Sequence, residues 1–246
     1  MGRAKALYER RVTPQRTRQM RGLLDESAAE TAAYTATTIL CEFLNAWLDA
    51  GPAEVARAEA AIEQALDRNP QLYLAHYAYG FVCRTRGQHQ AALEAFDETI
   101  KYAPEFARAY AQKGDELVYL GRPDEGIAEI EKALKISPQS SVRGFFFWTI
   151  GRAKFFMEDD AEAIRWLRSS IRNWSDVWYN RFYLVSAHAL SNQRAAARRV
   201  LQASNQKLPG YTLARIIENE HRIPSDEPKA APVRFGRPGC ALNRPT

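Results

Sequence analysis

The sequence predicts an all-α fold of about five helix-turn-helix repeats, and three observations predict it. Pro70, Pro104 and Pro138 stand 34 residues apart, as do Gly80 and Gly114. Sliding the chain against itself gives a column of small residues at Ala58, Ala92, Gly126, Ala163 and Ala197, spaced by 34, 34, 37 and 34. An apolar column follows four residues later at Ile62, Phe96, Ile130, Leu167 and Leu201, and a second small one at Ala65, Thr99, Ala133, Ser170 and Ser204. Self-similarity at a fixed period of this length marks stacked supersecondary units, each too small to bury its own apolar face.

The repeats run over about 37–72, 73–106, 107–143, 144–177 and 178–209. In the first, the turn "DAGPAEV" is two residues longer than elsewhere. The second shows the plan most clearly: in "AHYAYGFVCRTRGQHQAALEAFDETIKYAP" apolar residues recur at spacings of three and four, break at Gly87 and stop before Pro104. Gly87, and Gly121 in the third repeat, fall where a first helix must end and a left-handed residue is favoured. The fourth repeat starts three residues late, after "SPQSSVR", and has Glu158 at its turn, which predicts a turn built differently. In the fifth, Asn192 takes the turn position, and Ser175 replaces the proline between the two repeats. Gly80, Gly114 and Gly151 face Ala92, Gly126 and Ala163 and allow the two helices of a repeat to approach closely. Proline ends the second helices, because it lacks an amide hydrogen and disfavours helix in the residue before it.

With Gly80, Ala92, Phe96 and Pro104 in one repeat and Tyr110, Gly114, Ile130, Ala133 and Pro138 in the next, the chain resembles the tetratricopeptide repeat family over about residues 37–209. The resemblance implies a right-handed α-superhelix, a solenoid whose concave side is lined by first helices and binds proteins or peptides. A narrower stretch, "KLPGYTLARI", is similar to the segment closing the repeat tails of some bacterial class III adenylate or guanylate cyclases and winged-helix regulators.

The flanks differ from the array. Residues 1–26 form a basic extension, a short capping helix is expected over 210–222, and the Pro-rich segment 223–246 reads as a disordered tail. The net charge of +5 belongs to the ends: residues 1–22 hold seven Arg/Lys and one Glu, and residues 221–246 hold five Arg/Lys and two acids, which leaves the body at −4. A nucleic-acid reader is expected to carry a basic stripe on its folded surface, so nucleic acid is not expected as a partner.

No export signal or membrane span is read: the best apolar run, "TATTILCEFLNAWLDAG", contains Glu42, Asn45 and Asp49. The opening Met-Gly lacks the Ser or Thr of a myristoylation signal. Cys41, Cys83 and Cys240 are scattered and odd in number, which suits a reducing cytoplasm. Phosphate loops, paired-histidine zinc helices, zinc-type cysteine pairs and nucleophile elbows are absent, and His76, His89, His188 and His221 are isolated. The chain is therefore expected to be non-enzymatic and to need no cofactor. Glu158, Asp159 and Asp160 precede "AEAIRWL", where negative charge favours the start of a helix.

The stretch "GFFFWTIGRAKFF" at 144–156 holds five phenylalanines and one tryptophan. Six such rings carry roughly 900–1,500 Å², more than an exposed patch of about 300–600 Å² usually presents. Register places Phe147, Ile150 and Gly151 toward the repeat's own second helix, so Phe147 is expected in the core. Phe145, Trp148, Arg152, Phe155 and Phe156 step along another face. In the resembled fold that face is concave, where Leu74, Tyr77, Phe81 and Arg84, then Arg108, Ala111, Asp115 and Tyr119, then Tyr179, Phe182 and Ser186 continue it.

The candidate partner groove is Tyr77, Phe81, Arg84, Arg108, Tyr119, Phe145, Trp148, Arg152, Phe156 and Tyr179. Aromatic and arginine side chains are the usual anchors of protein interfaces. The competing reading is that these rings pack the next repeat or are covered by the N-terminal segment. The family's lysine and asparagine clamp for acidic chaperone tails is not matched, so the implied ligand is an apolar or aromatic segment with one or two carboxylates, which arginine can hold. The expected function is a cytoplasmic bacterial adaptor for a protein or peptide. A stand-alone regulatory or sensory protein acting on a cyclase or transcriptional regulator is the alternative, and a homo-oligomer formed through an exposed end of the array is left open.

Overall fold

A computed structural model describes Ala33, Ala36, Thr37 and residues 52–175 and 178–207. Among the described residues there are nine α-helices and no strand: α1 (Pro52–Arg68), α2 (Tyr73–Thr85), α3 (His89–Tyr102), α4 (Ala107–Tyr119), α5 (Pro123–Ile136), α6 (Arg143–Phe156), α7 (Asp160–Asn173), α8 (Trp178–Leu190) and α9 (Arg194–Lys207). None is long and apolar enough to cross a membrane. The basic extension, the capping-helix segment, the Pro-rich tail and most of the turn "DAGPAEV" lie outside the described residues.

The chain divides into two compact units between Ala109 and Tyr110. In the first, Ala58, Ile62 and Ala65 of α1, Leu74, Ala75, Ala78 and Val82 of α2, and Ala92 and Phe96 of α3 form one buried cluster. A Cβ on Gly80 would stand closer than 3.0 Å to three atoms of the Phe96 ring, so glycine lets α2 and α3 close without that ring moving. In the second unit the apolar column continues with Ile130 and Leu167, both fully buried. A Cβ on Gly151 would stand 2.7 Å from Leu167 Cγ, and one on Gly114 would stand 2.7 Å from the Gly126 carbonyl oxygen. The polar members of the second small column are satisfied: Thr99 Oγ1 donates to the Ala95 carbonyl at 2.8 Å and Ser170 Oγ to the Gly144 carbonyl at 2.8 Å.

The turns share one construction. Gly87 (φ 73°), Gly121 (φ 77°), Glu158 (φ 65°) and Asn192 (φ 59°) are all left-handed. In each, the amide of the next residue returns to a carbonyl five residues back: Gln88 to Cys83 at 2.9 Å, Arg122 to Leu117 at 2.9 Å, Asp159 to Lys154 at 3.0 Å and Gln193 to His188 at 2.8 Å. The expectation of a different turn at Glu158 is therefore corrected. The closing hydrogen bonds and the flanking helices hold that residue in a conformation that costs a non-glycine about 1–2 kcal/mol. Asp159, the next residue, caps α7 by accepting from the Glu162 amide at 3.2 Å.

Candidate partner-binding face

In the first unit the stripe on α2 is turned inward. Tyr77, Phe81 and Arg84 are buried. Tyr77 meets Phe81 edge-on at 5.3 Å and Phe106 at 5.1 Å, and Phe81 meets Phe96 at 6.0 Å. The Arg84 guanidinium lies 5.5 Å from the Phe81 ring centre and 5.8 Å from that of Phe96, within cation–π range. Arg108, at the start of α4, is half-buried.

The second unit holds the larger aromatic assembly. Trp148 of α6 packs on Tyr179 of α8 at 4.6 Å and on Tyr183 at 6.4 Å. Phe155 and Phe156 meet Tyr183 at 5.4 and 5.9 Å. Phe145 bridges Trp148 at 5.5 Å and Trp174 at 6.0 Å. Trp148, Arg152 and Tyr179 are buried, whereas Tyr119, Phe145 and Phe156 are half-buried. Arg152 Nη2 donates to Asp115 Oδ1 at 2.6 Å and to the Asp115 carbonyl at 2.7 Å, with its guanidinium 4.6 Å from the Trp148 ring centre.

The structure thus brings six of the ten sequence-selected residues into packing between and within repeats, and leaves Arg108, Tyr119, Phe145 and Phe156 half-buried. Phe147 is corrected from core to half-buried: it does face its own second helix, but onto Trp166 at 5.4 Å and under Arg143. The residue that fills the core is Phe146, fully buried. Its signal was present, since Ala75, Ala109, Phe146 and Asn180 share the 34, 37, 34 register and each is fully buried. Tyr183 and Trp174, also outside the selected set, join the stripes of α6 and α8.

Trp148 Nε1 is buried and has no hydrogen-bond acceptor among the described residues. Among the described residues no group of three or more His, Cys, Asp or Glu side chains is placed to hold a metal ion. His76 and His188 have ordinary structural partners. His76 Nε2 lies 2.7 Å from the Pro70 carbonyl and its ring stacks on Tyr102. His188 is fully buried, with Nδ1 2.9 Å from Gln193 Oε1 and Nε2 3.4 Å from Arg168 Nη2. An arginine can only donate, so Nε2 accepts and Nδ1–H donates to Gln193, which is the neutral ring. Burial pushes the His188 pKa down, and the Arg168 and Arg199 cations push it the same way against the raising effect of the Gln193 hydrogen bond.

Paired helices at this spacing, with glycine contacts and left-handed turns in register, are matched by two family models, both described as tetratricopeptide repeat, over residues 53–107 and 107–140. Residues 53–140 are tetratricopeptide repeats. The chain is 30% identical over 88 residues to the human and bovine DnaJ homolog subfamily C member 3, covering 36% of this chain and 18% of those proteins. The chain thus spans 18% of the length of the curated relatives it matches. Among solved structures it is similar to PilW, a widely conserved type IV pilus biogenesis factor, with a TM-score of 0.62, 18% identity, and 78% of this chain and 88% of that one covered. The pilF protein of Pseudomonas aeruginosa gives 0.60 at 17% identity, covering 79% and 88%. YrrB, a tetratricopeptide repeat protein with an unusual peptide-binding site, gives 0.50 at 16% identity, covering 82% and 98%. At these identities the likeness shows the fold: an all-α tetratricopeptide solenoid. The tetratricopeptide repeats support a protein-interaction scaffold.

Proposed function

We propose that this tetratricopeptide protein is a non-enzymatic cytoplasmic adaptor that holds a partner segment against the α6 and α8 face of its second unit. The observation that carries the reading is Trp148 Nε1, a buried donor with no acceptor among the described residues, beside a run of packed rings. A buried unsatisfied donor costs about 1–3 kcal/mol, and an oxygen supplied by a partner recovers it. The half-buried Phe145 and Phe156 supply apolar contact at the edge, while Tyr179 and the Arg152–Asp115 pair set the shape beneath. The partner segment carries apolar or aromatic side chains and presents a carbonyl or carboxylate oxygen to Trp148.

Arg152 serves this face by holding it together, because its guanidinium already engages Asp115. Affinity purification with mass spectrometry identifies the partner, and titration of that partner then compares the wild-type chain with Trp148→Phe, which keeps a ring and removes the donor, and with Phe145→Ala. Binding weakened at least fivefold in both supports the reading; unchanged affinity in folded variants ends it. The regulatory alternative gains no support among the described residues, since "LPGYTLARI" lies outside them and its likeness to cyclase and regulator tails is not shown by the comparisons.

A further inference from the structure

The apolar column that defines the repeats breaks at its last member. Ile62, Phe96, Ile130 and Leu167 are 0% exposed, whereas Leu201 of α9 is 46% exposed. Arg194 and Arg198 stand seven and three residues before it on the same helix face, Arg199 follows on another, all three are exposed, and α9 carries no acid. Exposed Arg168 of α7 and Arg199 meet at His188 of α8: Arg168 reaches its ring at 3.4 Å, and both cations act on its titration. The exposed side of α9 is an apolar spot flanked by arginines.

The same chain carries the complementary charge. From Gly22 to Ala56 there are six acids (Asp25, Glu26, Glu30, Glu42, Asp49 and Glu54) and no Lys or Arg; from Val177 to Ile217 there are six bases and no acid. An average over the whole body hides this separation. We propose that α9 docks the acidic segment 22–56 of a second copy of this chain. The resulting contact is head-to-tail, each copy offering one surface and using the other. Opposite charges steer the encounter and suppress like-with-like pairing, and Leu201 supplies apolar burial at its centre. A nucleic acid fits less well, because a phosphate gains nothing from Leu201.

The full chain is tested by analytical ultracentrifugation at 50 mM and 500 mM salt, with folding checked by circular dichroism. Self-association that weakens at least tenfold at the higher salt is expected, since exposed charges are screened beyond about 10 Å at 0.1 M. A triple variant Arg194→Glu/Arg198→Glu/Arg199→Glu and a triple variant Glu42→Lys/Asp49→Lys/Glu54→Lys are each expected to be monomeric alone and to associate when mixed, because each restores the other's complement. Leu201→Asp in an otherwise unchanged chain is expected to weaken association at least fivefold. The proposal is overturned if the wild type stays monomeric at every concentration and salt, if it associates only after residues 209–246 are removed, or if the two triple variants fail to associate on mixing. A labelled single-stranded RNA retained by the wild-type chain and released by the arginine triple variant, with no self-association, reassigns the surface to nucleic acid.

Discussion

Asp115 and Arg152 stand 37 residues apart, in one column of consecutive repeats, and meet as a buried ion pair at 2.6 Å. Removing one partner strands a buried charge, which costs about 3–5 kcal/mol. Arg152→Ala is therefore expected to lower the unfolding free energy by that amount in urea, and Asp115→Ala/Arg152→Ala by less than the two single losses together. Additive losses would mean the two side chains do not depend on each other.

The close helix contacts set a second expectation. Gly151→Ala places a methyl group 2.7 Å from Leu167 Cγ, and relief requires the helices or the leucine to move. Overpacking of this kind costs about 1–3 kcal/mol. Thermal unfolding should fall for Gly151→Ala, and Gly151→Ala/Leu167→Ala should lose less than the sum of the two single losses, because the shortened partner leaves room for the methyl group.

Glu158 predicts a gain. It occupies the left-handed turn position that Gly87 and Gly121 fill elsewhere. Glycine relieves about 1–2 kcal/mol of backbone strain and gives back roughly 0.5–1 kcal/mol through the greater freedom of the unfolded chain. Glu158→Gly should raise stability by up to about 1 kcal/mol in equilibrium denaturation, whereas Gly87→Ala should lower it.

His188 predicts a pH dependence. Its folded pKa lies below the unfolded value of 6.5, so the folded state favours the neutral ring. The stability it contributes is fully present above pH 6.5 and is lost as pH falls from there through the folded pKa, because the unfolded chain takes up the proton first. A melting temperature that drops between pH 7.5 and 5 in the wild type, and drops less in His188→Gln, is expected. Equal slopes would show that burial and the nearby Arg168 and Arg199 cations do not disfavour the charged ring.

The repeat period, the helix pairs and their stops at proline were legible because they rest on local chemistry repeated several times over. Proline removes a donor wherever it stands, glycine admits a close neighbour, and spacing of three and four selects a helix face. The turn at Glu158 was not legible, since its backbone strain is held by bonds that the flanking helices make. The aromatic stripe was seen as a stripe, but its exposure was not: whether Trp148 or Tyr179 lies open depends on what the next repeat presents at 4.6 Å.

The sequence by itself determined the fold class and which residues share a column, because periodicity is a property of the chain. Only the tertiary structure decided that Arg152 spends its guanidinium on Asp115, that Phe146 rather than Phe147 is core, and that Leu201 alone in its column is uncovered. Burial is set by neighbours distant in the chain, and a column gives the direction of a side chain without stating what meets it there.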